Sequence, residues 1–529
     1  MNELARLLVP ALRWDRAHGF RYLDGLVDDA LELGVGGFLV EGGPRDEVAA
    51  LIGRLHAESR HPILVAGRAE RGAGGTFDGL TELPSFGAIA SVAVVQPEGS
   101  TGPALDAAVV RRAALLTIRE LKNVGVNWAL APVCDLDVAL GNSDVGARGA
   151  SGDPAVIGAV VAEWIDTCQA DAVLACAMHF PGIGRAGAGG PSAVRPHDGL
   201  APVPSLRVLK DAVSQLRAND FHPFTTAIDA GVASVMIAPV SVPAFGAPEG
   251  AMTSAAMIEN VLRTEMHFDG IVSTVPFDRE PTMAPTSEAS VAIAALVAGC
   301  DIVLAPGDLS GVADALARAA GRREVSAPRL RQAIERVERW AGWARPAAAA
   351  REPSMDDVLW SRQLADSSLR FARGRRPRIG GTIEVVLVGH AGSASFEGSG
   401  DSSVAGPFTA TLRAMHIEVT ESAAPSPKER APLAIVFVPE SNATGGAGTA
   451  AADERPSHET IAAIVDMCAA AIPGAEPGRD VVVIACCHPR AAAAIAGALP
   501  GDAALVCAWD SARPMLEAAA RALVSPTLR

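Results

Sequence analysis

Residues 172–184 read AVLACAMHFPGIG, an uncharged apolar run that ends in a polar turn. An apolar run of this length, without alternation, is typical of a parallel strand that is buried on both faces. Similar runs recur along the chain, and ten to twenty residues with helical periodicity separate them, for example residues 254–265. This alternation predicts repeated βα units.

Eight such runs occupy the first 310 residues of the chain. They cover residues 7–12, 36–40, 63–66, 127–131, 172–178, 233–238, 270–274 and 301–305. Eight parallel strands with crossover helices over residues 1–340 predict a (β/α)₈ barrel of the TIM type, in which functional side chains lie on the loops after the strands. The same number of strands fits an open sheet, so the barrel prediction depends on strand number and length together.

The composition changes near residue 345, where an Ala-rich run follows Pro346. Residues 341–378 are predicted to form a linker and a bridging helix that continues through Phe371. Five further apolar runs then follow, at residues 383–388, 417–420, 433–438, 481–484 and 503–508. They predict that residues 379–529 form a doubly wound α/β sandwich domain with a parallel sheet.

Composition and charge exclude several classes of function. The chain has 529 residues and a formal net charge of -15, and it lacks the basic clusters that phosphate neutralisation requires, so nucleic acid is not expected as a partner. No apolar run reaches the roughly 18 residues of a membrane span. Eight scattered cysteines and no visible signal peptide favour a reducing compartment, and we expect a cytoplasmic protein.

No cofactor or metal is expected from the motifs. The Gly-rich stretches 389–400 and 445–448 match neither the Gly-x-Gly-x-x-Gly motif nor the Walker motif, the two Gly-rich patterns that bind phosphate groups. Cys486, Cys487 and His488 form the one local cluster of metal-ligand type. Adjacent cysteines on a strand point to opposite faces, so this pair is interpreted as small buried side chains.

A set of short motifs, in a constant order, connects the first half of the chain with a known family. These are TELP at 81–84, LAPVCDLD at 130–137, Asn142, Gly146, Arg148, Asp153-Pro154, HFPG at 179–182, FDGIV at 268–272 and AGCD at 298–301. In order and spacing they resemble glycoside hydrolase family 3, with its β-N-acetylglucosaminidase branch as the nearest. The resemblance spans most of residues 1–310, and many members of that family carry a second α/β domain.

The resemblance implies a retaining mechanism, in which an Asp attacks the anomeric carbon and a second group protonates the leaving oxygen. The family places that Asp shortly after the Phe-Asp-Gly motif. Thr274 matches the residue before the nucleophile, and Val275 stands at the nucleophile position. A hydrocarbon side chain cannot supply the negative charge, so we expect a catalytically silent or severely impaired protein.

The acid/base side also departs from the family pattern. The branch carries an Asp-Ser-His group on a loop after the HFPG motif, and here Gly189 and Pro191 occupy the two catalytic positions. Other polar positions of the family pocket are replaced as well, by Arg68, Met178, Ile183 and Pro239. So many losses in one predicted pocket indicate that the catalytic site has been dismantled.

Four residues of the predicted pocket keep a polar side chain that could hold a carbohydrate or muropeptide ligand: Arg148, His179, Asp135 and Asp137. Arg148 could bind a hydroxyl or carboxylate in a bidentate manner. Alternatively, Arg148 forms an ion pair with Asp153 or Asp137. His179 is interpreted either as a ligand contact or as a packed side chain bonded to backbone.

Relocated groups could rescue catalysis. Asp278 lies three residues after Val275, and His197 with Asp198 follows the Gly-rich loop. A strand rises about 3.3 Å per residue, so Asp278 should lie away from the nucleophile position unless the loop is rebuilt. Glu397 and Asp401 of the second domain are further candidates, because some family members complete their site from that side.

Three hypotheses therefore remain. The favoured one is a family 3 homologue that binds a carbohydrate without hydrolysing it. The second is an active retaining β-N-acetylglucosaminidase or β-glucosidase with relocated catalytic groups. The third is a scaffold or interaction protein, with an unknown protein partner, whose pocket has collapsed around Met178, Ile183 and Val275.

Overall fold

A computed structural model describes most of the chain. The described residues are 3–95, 104–138, 145–186, 206–279, 288–344, 353–374, 379, 381–388, 406–422, 431–437, 464–466, 468, 480–487, 489–499, 503–510 and 512–524. The first half contains eight parallel strands, as predicted. They are β1 (Leu8–Val9 and Ala11–Arg13), β2 (Gly37–Glu41), β3 (Leu64–Arg68), β4 (Trp128–Leu130), β5 (Leu174–Phe180), β6 (Ser234–Ile237), β7 (Ile271–Thr274) and β8 (Val303–Leu304).

The eight strands follow one another around a closed barrel. The segment Ala11–Arg13 of β1 pairs with β2, and parallel pairing continues in sequence order to β7. A bridge between Ser273 and Ile302 joins β7 to β8. The segment Leu8–Val9 pairs with Val303–Leu304 and closes the ring. The barrel prediction is confirmed, and the carboxyl ends of all eight strands meet at one face, here called the barrel mouth.

Helices surround the barrel and bury the outer faces of its strands. They are α1 (Asp24–Leu33), α2 (Arg45–Glu58), α3 (Phe86–Ala93), α4 (Ala107–Asn123), α5 (Pro154–Ala170), α6 (Val213–Ala218), α7 (His222–Asp229), α8 (Glu288–Ala298), α9 (Leu309–Gly321) and α10 (Ala327–Trp343). Between α7 and α8, residues Ala256–Glu265 form a π-helix, where the sequence predicted an ordinary helix over residues 254–265. Helix α10 runs past residue 340, so the predicted domain boundary falls inside it.

The second domain is built on a six-stranded sheet. Its strands are β9 (Arg370–Arg373), β10 (Thr382–Val388), β11 (Glu418–Ser422), β12 (Leu433–Phe437), β13 (Val481–Ala485) and β14 (Ala504–Cys507), in the order β9-β14-β13-β12-β10-β11. The five predicted strands are parallel, and β9 adds an antiparallel edge. The predicted end of the bridging helix is wrong. Helix α11 (Met355–Ser368) ends before Phe371, and Phe371 lies in β9.

Both faces of this sheet are covered. Alternate residues of β12 enter different hydrophobic cores, with Ala434 and Val436 on one face and Ile435 and Phe437 on the other. The helices are α12 (Gly406–Ala414), α13 (Pro489–Ala498) and α14 (Arg513–Val524). Cys486 and Cys487 likewise enter opposite cores, as the strand geometry predicted. All eight cysteines are buried, and none of them forms a disulfide.

The two domains meet through α3 and the segment before it. The carboxylate of Asp510 accepts a hydrogen bond from the backbone N–H of Ser85 at 2.9 Å, and Ser361 Oγ donates to the carbonyl of Glu82 at 2.6 Å. Burial raises the pKa of Glu82 to about 7, and the nearby Asp510 charge acts in the same direction, while Arg71 opposes it. In the described part of the chain, the helices are too short or too polar to traverse a lipid bilayer.

Candidate functional site

Asp135 and His179 form a buried pair at the barrel mouth. Asp135 follows β4, and His179 is the penultimate residue of β5. His179 Nδ1 lies 2.7 Å from Asp135 Oδ2, and Asp135 also accepts hydrogen bonds from the backbone N–H groups of His179 (3.2 Å) and Ile183 (2.8 Å). One carboxylate therefore fixes both the imidazole ring and the start of the following loop.

Arg148 lies beside His179 on a 3₁₀ turn, Gly146–Arg148. Its guanidinium forms a bidentate pair with Glu70, with distances of 2.6 and 2.8 Å to the two carboxylate oxygens. Its Nη2 also lies 3.4 Å from His179 Nε2. His179 is thus held between Asp135 and Arg148, with Nδ1 facing the carboxylate and Nε2 facing the guanidinium.

The ion pair predicted for Arg148 needs correction. Its observed carboxylate partner is Glu70, whereas Asp153 caps the N-terminus of α5 by accepting from Ala155 N and Val156 N. Asp137 is buried, and its own N–H donates to the carbonyl of Ser151. Sequence reasoning chose partners close to Arg148 in the chain, while the barrel brings Glu70 to it from the loop after β3.

Glu70 is held as a carboxylate. Burial alone would raise its pKa, but the charges of Arg148 and Arg68 and the hydrogen bonds from Arg148 outweigh burial and lower the pKa to about 2. A group with so low a pKa stays ionised at neutral pH and cannot act as a general acid.

Val275 directly follows β7 and is only 8% exposed. The preceding Thr274 is fully buried: its hydroxyl donates to the Val275 carbonyl (2.9 Å) and accepts from the N–H of Leu304 (3.0 Å). Met178 is buried as well, and Ile183 packs against the barrel core. The carboxyl end of β7 therefore presents an apolar side chain to the barrel mouth.

Asp278 lies on the 3₁₀ turn Phe277–Arg279 and forms an ion pair with Arg13 at the end of β1. Arg13 Nη2 donates to Asp278 Oδ1 at 3.1 Å, and Arg13 Nε lies 2.7 Å from a carboxylate oxygen of Glu41. The other oxygen of Glu41 accepts from Arg68 Nε at 2.6 Å. These residues form a continuous chain of ion pairs, Asp278–Arg13–Glu41–Arg68, here called the rim chain.

Sequence reasoning missed Arg13 and Glu41. Both are the charged residues that end an apolar strand, and the register of the sheet places them side by side. That position was a usable signal, since strand ends of a (β/α)₈ barrel face the mouth. Burial alone would lower the pKa of Arg13, but hydrogen bonds and charge from Asp278 and Glu41 raise it above its ordinary value.

The remaining candidates are Gly189, Pro191, His197, Asp198, Glu397 and Asp401, which lie outside the described residues. Within the described residues, no group of three or more His, Cys, Asp and Glu side chains is arranged to hold a metal ion.

Comparison with known proteins identifies the family. The protein-family model described as "Glycosyl hydrolase family 3 N terminal domain" matches residues 31–340. The chain belongs to glycosyl hydrolase family 3. Among its family 3 relatives, a beta-hexosaminidase of Xanthomonas oryzae pv. oryzae is 32% identical over 267 residues, which cover 50% of this chain and 72% of the relative. A beta-N-acetylglucosaminidase/beta-glucosidase of Cellulomonas fimi is 28% identical over 284 residues, covering 51% of this chain and 46% of that protein.

Solved structures show that the family 3 fold extends over both domains. A family 3 beta-N-acetylglucosaminidase from Paenibacillus sp. str. FPU-7 superposes with a TM-score of 0.75 and 19% identity, covering 99% of this chain and 96% of that chain. A beta-glucoside phosphorylase gives a TM-score of 0.74 and 15% identity, covering 99% and 92%. At these identities the likeness concerns the fold.

Proposed function

We propose that this family 3 member binds a carbohydrate at the barrel mouth and hydrolyses it many times more slowly than its relatives. The observation that carries the proposal is the side chain after β7, which is the hydrocarbon Val275. Retaining hydrolysis needs a carboxylate nucleophile on one side of the scissile bond and a proton donor for the leaving oxygen on the other. A valine supplies neither the nucleophile nor the charge that stabilises an oxocarbenium ion.

The paired state of the neighbouring carboxylates supports the same proposal. Asp278 and Glu41 share Arg13, and Glu70 pairs with Arg148. A carboxylate that accepts charge-assisted hydrogen bonds from arginine has its lone pairs engaged and is stabilised as the anion. Such a group is a poor nucleophile and a poor proton donor until the arginine is displaced.

Binding is assigned to the part of the mouth that keeps the family residues. Arg148 and His179 lie side by side, and Asp135 holds the imidazole in a fixed orientation. Two of the relatives are named beta-hexosaminidase and beta-N-acetylglucosaminidase. The first ligands to examine are therefore N-acetylglucosamine and its β-glycosides, including muropeptides. Because all eight cysteines are buried and none forms a disulfide, the protein is proposed to work in the cytoplasm.

The test measures turnover and binding separately on the full chain. We expect release of nitrophenol from 4-nitrophenyl N-acetyl-β-glucosaminide roughly 10⁴-fold below that of a beta-hexosaminidase relative, because general acid/base catalysis alone contributes up to about that factor. Calorimetry should detect N-acetylglucosamine binding that Arg148→Lys weakens about tenfold, since lysine cannot keep the bidentate pair with Glu70 that holds this cation beside His179. Arg217→Lys, which alters a surface pair with Glu265, is the matched control.

Two results would contradict the proposal. Turnover close to that of the relative, abolished by Asp278→Asn, would show an active enzyme with a relocated nucleophile. A folded protein that binds no N-acetylglucosamine, β-glycoside or muropeptide would favour the scaffold alternative.

A further inference from the structure

Arg68, the last residue of β3, uses only part of its guanidinium group within the protein. Its Nε donates to Glu41 at 2.6 Å, and its side chain makes no other hydrogen bond among the described residues. The side chain is 18% exposed, and neither of its Nη atoms is sealed from solvent. Two nitrogen donors, here called the open fork, therefore remain available at the barrel mouth.

The open fork lies next to the residues that we assign to sugar binding. Arg68 and Glu70 are two positions apart in the chain. Burial would raise the pKa of Glu70, but the charges of Arg148 and Arg68 lower it, so both guanidinium groups lie close to this carboxylate. Arg148 in turn lies 3.4 Å from His179. Glu70 therefore neighbours both the open fork and the Arg148–His179 pair.

Neutralising Glu41 does not require Arg68. The second carboxylate oxygen of Glu41 lies 2.7 Å from Arg13 Nε, so this group already faces a full positive charge. The rim chain contains two arginines and two carboxylates, and the Arg148–Glu70 pair adds one of each, so this network carries no net charge. An entering group with one negative charge meets less repulsion from the fixed carboxylates than a group with two.

We propose that Arg68 makes the barrel mouth selective for a sugar acid, whose carboxylate binds the open fork. The two Nη groups of a guanidinium are parallel donors that match the two oxygens of a carboxylate. Hydrogen bonds to a neutral sugar hydroxyl lack the charge on the acceptor and are weaker. This inference rests on the proposed function, because the sugar ring itself must occupy the mouth beside Arg148 and His179.

Matched sugars test this selectivity on the full chain. N-acetylglucosamine is compared with N-acetylglucosaminuronic acid, in which a carboxylate replaces the primary alcohol, and with N-acetylmuramic acid, in which the carboxylate lies on a lactyl ether. We expect calorimetry at pH 7 to show that at least one acid binds about tenfold more tightly than N-acetylglucosamine. In Arg68→Gln that acid should bind only as tightly as N-acetylglucosamine, whose own affinity stays within about twofold of wild type.

Two further variants separate the open fork from charge and from folding. Arg68→Lys keeps the positive charge without the fork, so it should retain only about threefold preference for the acid, and it decides the test if Arg68→Gln does not fold. Arg71→Gln is the matched control, because it removes one positive charge three positions further along the chain. Arg71 lies 3.7 Å from Glu82 at the domain contact, so this variant should keep the full preference.

The outcomes distinguish the selectivity from the proposed function. If neither acid binds more tightly than N-acetylglucosamine, or if both Arg68 variants keep the full preference, the selectivity is overturned while the proposed function stands. Tighter binding of N-acetylglucosamine 6-phosphate than of either acid would overturn the assignment to a carboxylate. If wild-type protein binds none of these sugars, the proposed function fails, and the selectivity with it.

Discussion

The two sides of the barrel mouth differ in chemistry. On the side of β4 and β5, Asp135, His179, Arg148 and Glu70 form a connected polar cluster. On the opposite side, Val275 is apolar and the rim chain links the ends of β7, β1, β2 and β3. The first side matches ligand binding and the second matches loss of the reacting groups.

Under the proposed function, the binding groups and the reacting groups of one site have changed independently. The buried Asp135 accepts three hydrogen bonds and fixes two segments, so its removal would disturb the barrel itself. A nucleophile has no comparable structural task, because its charge serves only the transition state. Under the proposed function, the nucleophile position has accepted a valine, Val275, that packs against the neighbouring core.

Asp135→Ala should give the largest effect and tests whether the side of β4 and β5 is structural as well as ligand-binding. We expect the free energy of unfolding to fall by about 4 kcal/mol, because three buried donors lose their acceptor. Urea denaturation at pH 7 measures the change. Asp153→Ala, which removes only the cap of α5, is the matched control and should cost about 1 kcal/mol. Equal losses in the two variants would contradict the comparison.

Asp220 lies near the loop that follows β5. Its titration provides a test of how stability depends on pH. Its side chain is 1% exposed, with no hydrogen-bond partner among the described residues, and Arg185 Nε lies 3.7 Å away. Burial raises its pKa to about 7; Arg185 opposes that rise, and Asp211 and Asp135 add to it. Because the folded-state pKa exceeds the unfolded value, the proton stabilises the fold at low pH, and stability is lost as pH rises from about 4 through 7.

The matching experiment compares wild type with Asp220→Asn at pH 5 and pH 8. The wild-type free energy of unfolding should fall by about 3 kcal/mol more over this range than that of the variant. The difference between the two proteins isolates Asp220 from other groups that titrate there, such as Glu82. Asp211→Asn is the control, because it removes a partly exposed carboxylate that pairs with the same arginine, Arg185. Parallel pH profiles for wild type and Asp220→Asn would show that Asp220 is not protonated in the folded state.

Asp278→Asn should give the smallest effect, on the opposite side. Asp278 is 22% exposed and its partner Arg13 keeps the pair with Glu41, so we expect the free energy of unfolding to change by less than about 1 kcal/mol. Thermal denaturation measures this change in stability. Glu41→Gln serves as the comparison, because Glu41 is buried between two arginines. A cost for Asp278→Asn as large as that of Asp135→Ala would remove the distinction between the two sides.

Most of the fold could be predicted because its strands are buried on both faces. All eight barrel strands and five strands of the second sheet appear as apolar runs within a few residues of the observed ends. Strand β9 was missed since its sequence, RFAR, is polar and mostly exposed, and only pairing with β14 makes it a strand. The π-helix was missed because its apolar spacing is that of an ordinary helix.

The site was predictable where a motif carried it. His179 and Asp135 are neighbours in the structure, as their positions at the ends of β5 and β4 suggested. The partners of Arg148 and Arg68 were not predictable, because Glu70 and Glu41 come from other strand ends and only the barrel register brings them together. Arg13 and Glu41 were overlooked for the same reason.

Arg148 depends on more than the barrel. Its neighbour Ala147, on the same 3₁₀ turn, packs into a hydrophobic core of the second domain together with Ala88 of α3, while Ile89 of α3 belongs to the barrel core. A Cβ at Gly87 would lie 2.9 Å from the Ala147 carbonyl, so the fit there is close. Exchange or removal of the C-terminal half would therefore also disturb the turn that positions Arg148.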